Sequence, residues 1–452
     1  MSRLTAALFR PVDIAWLVYF RLGVGFLLAL EHGGAILLGR VRNYTEPQFH
    51  FRYLGWEWLP HPPPAGIYAI YALVMVAGLA VAAGWHYRAA AATLSLSYGA
   101  LLLLEETEYI NHFYLYALVA AVLAVLPAHR AASADVRAGR VAPAATTPAW
   151  TRLVLLFQMG LVYALAALAK LNPDWLAARP LTVWLGAKAH YPLIGPLLSQ
   201  PTAAWLLSYG GIAFDALVVP LLLWRRSRPW AFGVAVLFHL TNVVVFGLGT
   251  FPWFSILLTS LFFAPDFPRR LPGFVGRWFR ARVPLATEAA QSAPTIAPRR
   301  TRWVLAGLGL FVAVQVLVPL RHFLYPSDVH WTEEGHRFSW HLMLRSKTGT
   351  AAFRVHLPDG TQELIWPSSY LTPNQAHKLT ASPDLLLQFA HLLADDYRRR
   401  GLPPVAIYCE SSVSLNGHPP QPLVSPTLNL LTVHRTLGPA PWVLPGPVAD
   451  AR

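Results

Sequence analysis

Apolar residues fall into about nine long runs, near residues 13–38, 65–84, 90–104, 112–127, 151–171, 203–224, 230–247, 250–264 and 303–320. Each run, taken as a helix, is long enough or nearly long enough to cross ~30 Å of hydrocarbon. Between Trp230 and Ala264 there is too much apolar sequence for one span. Gly247, Gly249 and Pro252 supply a break, which predicts a tight helical hairpin. The pattern changes after about residue 320. FRVHLPDGTQELIW reads as two strands around an Asp359-Gly360 turn. Pro383 to Arg399 is amphipathic, with Leu386, Phe389, Leu392 and Leu393 on one face, and predicts a helix. VAIYCESSVSLNGHPPQPLV predicts another strand followed by an Asn416-Gly417 turn. The expected fold class is therefore a polytopic α-helical membrane protein of about eight or nine spans with a small C-terminal α+β domain. Its expected divisions are 1–264 (helical membrane domain), 265–301 (basic linker), 302–320 (last span), 321–444 (α+β domain) and 445–452 (tail).

Composition agrees with the pattern: 55% of the 452 residues are hydrophobic and 13% charged, which excludes an ordinary soluble globular protein. The formal charge of +14 does not imply a nucleic-acid partner, because the arginines lie in loops beside apolar spans. Loops carrying Arg88; Arg130, Arg137 and Arg140; Arg225, Arg226 and Arg228; and Arg269 through Arg300 alternate with loops poorer in basic residues. That alternation predicts a cytoplasmic N-terminus, an odd number of spans and an extracytoplasmic C-terminal domain. The latter part of the 265–301 linker, rich in Ala, Ser and Pro, is expected to be disordered. The first run contains Asp13 and Arg21 and no small-residue cleavage site, so it is expected to remain as a span. One cysteine, Cys409, excludes an intrachain disulfide.

The stretch LVLLFQMGLVYALAALAKLNPDW, Leu153 to Trp175, carries the most informative polar residue, Lys170. An ammonium deep in an apolar run costs a few kcal/mol and points to function, although a lysine one turn from the end of a run also snorkels. Only four of the 36 basic residues are lysines. Keeping lysine here favours a base, since lysine gives up its proton when desolvated and arginine does not. At the same depth lie Glu105 and Glu106, Asn111 and His112, and, three residues apart on one helix face, His239 and Asn242. Taken singly, each has a plain alternative: interfacial charge for the glutamates, helix capping for Asn111 and His112, an interhelical hydrogen bond for His239. Asp215 and Arg21 are expected to pair with each other or with another buried charge. Convergence at one depth predicts a cavity. HExxH, paired CxxC, P-loop and dinucleotide motifs are all missing from the chain, so no metal is expected.

At these residues the chain resembles the vitamin K-dependent gamma-glutamyl carboxylases and their bacterial HTTM (horizontally transferred transmembrane) homologues. FQMGLVYALAALAKLNPDWL is similar to the family signature, and FRLGVGFLLALE, INHFYLYAL, FHLTNVVVFGLGTFPW, FSWHLMLRSK and VSLNGHPPQPLVSP match other family segments in order, from about residue 8 to 440. The resemblance implies a membrane enzyme that couples oxygenation of reduced vitamin K, or menaquinol in a prokaryote-like chain, to carboxylation of peptidyl glutamate. Oxygen and carbon dioxide would be co-substrates, the quinol would enter from the lipid bilayer, and the protein partner would be a glutamate-containing peptide. It implies Lys170 as the base toward the quinol and His112 as the residue that handles the glutamate carbanion. Asn111, Tyr163, His239 and Asn242 would line the quinol site; Trp340, His336, Met343 and Arg345 would bind glutamate. There are departures. Ala169-Lys170 stands where the animal enzymes have paired lysines, His336 stands where the family has a tyrosine, and the animal C-terminal extension and its disulfide cysteines are missing. Two further readings stay open: a quinol-epoxidising enzyme without carboxylation, and a non-catalytic HTTM protein for export or maturation of a small peptide.

Overall fold

The computed structural model describes residues 3–192, 194–285 and 298–447. Among the described residues, nine apolar helices occupy the predicted runs: α1 (Ala15–Leu37), α2 (Pro64–Ala83), α3 (Tyr87–Leu104), α4 (Asn111–Val125), α5 (Trp150–Ala169), α6 (Pro201–Leu223), α7 (Arg228–Phe246), α8 (Phe251–Ser260) and α9 (Pro298–Leu320). Seven are long and apolar enough to cross a bilayer, while α4 and α8 are shorter apolar helices. The protein is a multi-pass membrane protein.

Packing inside the bundle relies on small residues where helices cross. A Cβ on Gly25 of α1 would lie 2.5 Å from the Gly78 carbonyl oxygen of α2, so the backbones meet at a distance only glycine allows. The predicted break between α7 and α8 is present: Gly247 caps α7 at φ 64°, Gly249 follows at φ 57°, and Pro252 lies in the first turn of α8. Arg21 does not pair with Asp215. Its guanidinium donates through its two terminal nitrogens to the carbonyls of Ala128 (2.7 Å), Ala131 (3.2 Å) and Ala132 (2.7 Å), so backbone dipoles face the buried cation. Part of the 265–301 segment is ordered and packed. Gly273–Arg282 is helical, and the buried Arg269 joins Asp13 at 3.0 Å and the carbonyls of Val283 and Pro284, each at 2.8 Å. The stretch expected to be disordered lies largely outside the described residues, as does most of the 445–452 tail. A two-stranded pairing of β1 (Pro11–Asp13) with β2 (Thr146–Pro148) was not legible, because strands this short carry no periodicity.

Beyond α9 a three-stranded antiparallel sheet forms, with β3 (Lys347–His356) between β4 (Gln362–Ile365) and β5 (Ala406–Leu415). Alternation selects its buried face: Phe353 pairs with Ile365 on one side and with Cys409 on the other. The predicted amphipathic helix, α10, spans Pro383–Arg399 and buries Leu386, Phe389 and Leu393 against that sheet. Leu392 is only partly buried. Both predicted turns are present, with Gly360 at φ 86° and Asn416-Gly417 at φ 51° and 78°.

The acidic stretch after α3 is not an exposed interfacial patch. Glu106 is buried against Arg337 at 2.7 Å, and Gln388 of α10 donates to it at 2.7 Å. Glu105 receives Thr107 Oγ1 at 2.7 Å and contacts His50 at 3.1 Å. Lys378 reaches the Thr107 carbonyl, and Asn374 reaches Glu108. These contacts hold the α+β unit onto the membrane bundle.

Candidate functional site

Helix α5 presents Tyr163 and Lys170, seven residues and two turns apart, on one face. The helix ends at Lys170 because Asn172-Pro173 follows: a residue before proline avoids the α region, and Asn172 instead caps the next turn by accepting from the Trp175 N–H at 2.9 Å. The lysine does not snorkel. It is buried, its Nζ donates to Asp215 Oδ2 of α6 at 2.6 Å, and it lies 5.3 Å from the centre of the Trp175 ring. Asp215, the carboxylate expected to have a buried partner, therefore has Lys170.

Two turns back on α5, Tyr163 Oη lies 2.9 Å from His239 Nε2 of α7 and 3.2 Å from Thr259 Oγ1 of α8. The other ring nitrogen of His239, Nδ1, is buried without a partner among the described residues. Phe214, beside Asp215, packs on the Tyr163 ring at 5.6 Å and on His239 at 6.2 Å. Phe251 lies between His239 (6.4 Å) and His112 of α4 (5.1 Å). Lys170, Asp215, Tyr163, His239 and His112 thus form one continuous set of contacts across five helices, joined by aromatic rings. Asn242 is half-buried on α7, and no hydrogen bond among the described residues draws it into this set. Asn111 does not cap α4; its amide donates to the His341 carbonyl at 2.8 Å.

That bond leads to the second group, the segment 333–345. Phe338, Trp340 and Met343 have φ of 61°, 59° and 50°, left-handed values that L residues adopt at a cost of order 1–3 kcal/mol each. Surrounding contacts fix them. Phe338 N donates to Tyr109 Oη at 2.6 Å, and Trp340 is buried and stacked on Tyr114 of α4 at 4.9 Å. The Trp340 indole N–H is buried with no acceptor among the described residues. Glu333 ties the segment: Arg345 donates to its carboxylate at 2.8 Å, and His336 Nδ1 contacts its carbonyl oxygen at 2.9 Å. Arg345 holds the Glu333 carboxyl well below the usual range despite burial, whereas burial lowers the His336 imidazole and keeps it neutral. Met343 is partly exposed. The glutamate-binding set assigned from the resemblance is therefore gathered on one strained segment.

A depressed carboxyl contributes stability that is complete above its unfolded value, about 4.3, and is lost as pH falls toward the folded value. Acidification from pH 7 to about 3 is therefore expected to lower the thermal midpoint more in the native protein than in Glu333→Gln. Melting both in detergent at the two pH values checks this, and equal drops would refute it.

A further tie joins residues that no sequence pattern singled out. Asp174, four residues after Lys170, accepts from Asn416 at 2.8 Å and contacts His418 Nε2 at 2.8 Å. The turn after β5 thereby pins the turn after Lys170, a contact 242 residues apart that no local pattern reveals. The expected single cavity is also revised. A cavity of about 610 Å³ opens beside the end of α5, lined by Leu168, Asn172, His322, His330, Ser339 and His341, but not by Lys170. The Lys170–Tyr163–His239 face is packed by aromatic rings instead.

Residues 9–267 match the family model described as HTTM domain, and residues 300–448 match the one described as vitamin K-dependent gamma-carboxylase, lumenal domain. The chain belongs to the HTTM and vitamin K-dependent gamma-carboxylase family. No solved structure matches it. The boundary between the two matches falls in the basic segment before α9, so the lumenal domain of the family includes α9 and the α+β unit, while Lys170, His112 and His239 belong to the HTTM domain. The two matched domains grip each other at the Glu105–Glu108 stretch, at the Asp174 turn, and where Tyr109, Asn111 and Tyr114 meet the segment carrying Phe338 and Trp340.

Proposed function

We propose that this family member is an integral-membrane γ-carboxylase that couples quinol oxygenation to carboxylation of peptidyl glutamate. The carrying observation is the Lys170–Asp215 pair at 2.6 Å, buried in the bundle beside the Tyr163–His239 bond. A proton handed from Nζ to Oδ2 across that distance leaves both groups neutral, and the amine so freed is a base in a water-poor site. A positioned general base contributes about 10²–10⁴ in rate.

The donor set fits a quinol. Apolar rings wall the site, Tyr163 offers a hydroxyl, and the orphaned His239 Nδ1 supplies a hydrogen-bonding group for a ring oxygen. When bound, reduced vitamin K or menaquinol reacts with oxygen and supplies the strong base that removes the γ proton of glutamate. The chain's own residues do the rest. Lys170 takes the quinol hydroxyl proton, and Tyr163 and His239 orient the ring. Phe214 and Phe251 exclude water. His112 faces the reacting glutamate carbon, and the unpaired indole N–H of Trp340 is a donor for the side-chain carboxylate. His336 and Arg345, both tied to Glu333, hold the segment that carries Trp340, and the partly exposed Met343 is left to meet the substrate. The lumenal domain is extracytoplasmic, in a prokaryote facing away from the cytoplasm, and the quinol enters laterally from lipid.

One observation favours a second reading, a quinol-epoxidising enzyme without carboxylation: His336 replaces the family tyrosine and is buried against Glu333 rather than turned toward a ligand. The deciding experiment supplies purified protein with vitamin K hydroquinone, oxygen, labelled bicarbonate and a glutamate-rich peptide, and assays epoxide and labelled peptide together. Both products support the carboxylase. Epoxide alone selects the second reading. Neither, with menaquinol also tried, leaves Lys170–Asp215 as a structural pair in a non-catalytic protein.

A further inference from the structure

Carboxylation releases a proton. Hydroquinone, oxygen, carbon dioxide and a glutamyl C–H become epoxide, water, a γ-carboxylate and one H⁺, and that proton has to leave a site walled by aromatic rings. A line of hydrogen bonds leaves the site beside His112. Tyr116, one turn along α4, has its ring 5.9 Å from that of His112. Its Oη lies 3.1 Å from Thr250 Oγ1, in the residue before Phe251. Thr250 Oγ1 donates to Glu31 Oε2 at 2.5 Å, and the other oxygen of Glu31 accepts from Arg40 at 2.9 Å. Glu31 is buried near the end of α1, whereas the Arg40 side chain is 45% exposed.

Glu31 also lines a second cavity, of about 170 Å³, shared with His32, Arg40, Asn43, Tyr71, Tyr98 and Glu108. That is room for several water molecules, and its polar walls provide the partners buried water needs. Arg40, Asn43 and Glu108 lie on the side of the bundle that carries the lumenal domain.

We propose that Tyr116, Thr250 and Glu31 form a proton exit from the site beside His112 to water on the lumenal-domain side. The direction of donation is fixed. Thr250 gives its only proton to Glu31, so Tyr116 gives its own to Thr250, and the lone pair left on Tyr116 Oη accepts the incoming proton. Passing one proton inward at Tyr116 breaks and remakes one O–H bond on Tyr116 and one on Thr250. It delivers a proton to Glu31, which returns it to cavity water. Arg40 pairs with the other carboxylate oxygen of Glu31. These are positioning residues that touch no substrate, and the origin of the proton rests on the carboxylase reading.

Two measurements test the relay. In nanodiscs, on rapid mixing into D₂O at constant acidity, the carboxylate infrared band lost in Glu31→Gln is expected to take its deuterium-shifted position within milliseconds. A shift that takes minutes would show Glu31 sealed from water and overturn the proposal whether or not the protein carboxylates. In turnover, Thr250→Val, isosteric but without the hydroxyl, is expected to lower kcat about tenfold with KM for quinol unchanged, to shift the pH profile, and to recover with added imidazole. Thr250→Ser keeps the hydroxyl and is expected to retain most activity, which separates the relay from packing. Native rates in Thr250→Val would overturn it. If the native protein yields no carboxylated peptide, the carboxylase reading fails, and the infrared result alone decides whether the proton path stands.

Discussion

Replacing Lys170 by alanine is expected to reduce quinol epoxidation and peptide carboxylation by at least about 100-fold, the lower end of what a positioned general base supplies. Removing one member of a buried pair also leaves Asp215 uncompensated, which by itself costs about 3–5 kcal/mol. Loss of activity in Lys170→Ala is therefore ambiguous alone. Lys170→Arg separates the two effects: it keeps a cation for Asp215, so the protein is expected to melt near the native temperature, yet arginine does not release its proton and activity is expected to stay at the alanine level. The double replacement Lys170→Met with Asp215→Leu removes both charges and is expected to be stable and inactive. Native epoxidation in Lys170→Arg would remove the lysine from the chemistry.

Glu106→Ala carries the second large expectation, on stability rather than chemistry. Burial pushes the Glu106 carboxyl up to about 7 even though Arg337 pulls it down, so the Arg337 contact matters most where the carboxyl is ionised. Without it, Arg337 has lost its 2.7 Å partner and Arg435 its contact at 3.5 Å. Leaving a buried cation unpaired costs about 3–5 kcal/mol. The lumenal domain is then expected to loosen from the bundle before either part unfolds. Limited proteolysis of the 321–347 connection, compared with the melting of Glu106→Gln, reads this directly: cleavage is expected to rise sharply in the alanine variant and less in the glutamine variant, which still accepts a hydrogen bond. Equal resistance to protease in all three proteins would show that the latch lies elsewhere.

Most of the fold was legible in the sequence because it is written in local periodicity. The nine apolar runs coincide with helices to within a few residues, and α10 spans the predicted 383–399 stretch. The hairpin around Asp359-Gly360 and the break at Gly247 follow from turn chemistry alone. The site was legible as a set of polar residues at one depth but not as a set of partners. Lys170 and Asp215 are 45 residues apart, and only the packing of α5 on α6 makes them neighbours. Arg21 was expected to need a carboxylate because composition cannot show that the carbonyls of Ala128, Ala131 and Ala132 converge on it. Asn111 looked like a cap by its position in α4, yet its amide serves the segment carrying Trp340, 230 residues away. Thr250 and Tyr116 carried no signal, since hydroxyls in membrane helices usually bond to their own backbone.

The central claim is that this site removes a γ proton from glutamate with a base generated through Lys170. The most direct measurement uses a peptide tritiated at the γ carbon and follows tritium released to water in the presence of vitamin K hydroquinone and oxygen. Release is predicted from the native protein, with none above background in Lys170→Arg, in the absence of quinol, or without oxygen. Release that persists in Lys170→Arg would contradict the assignment of the base, and no release from a native protein that still forms epoxide would contradict the carboxylase account.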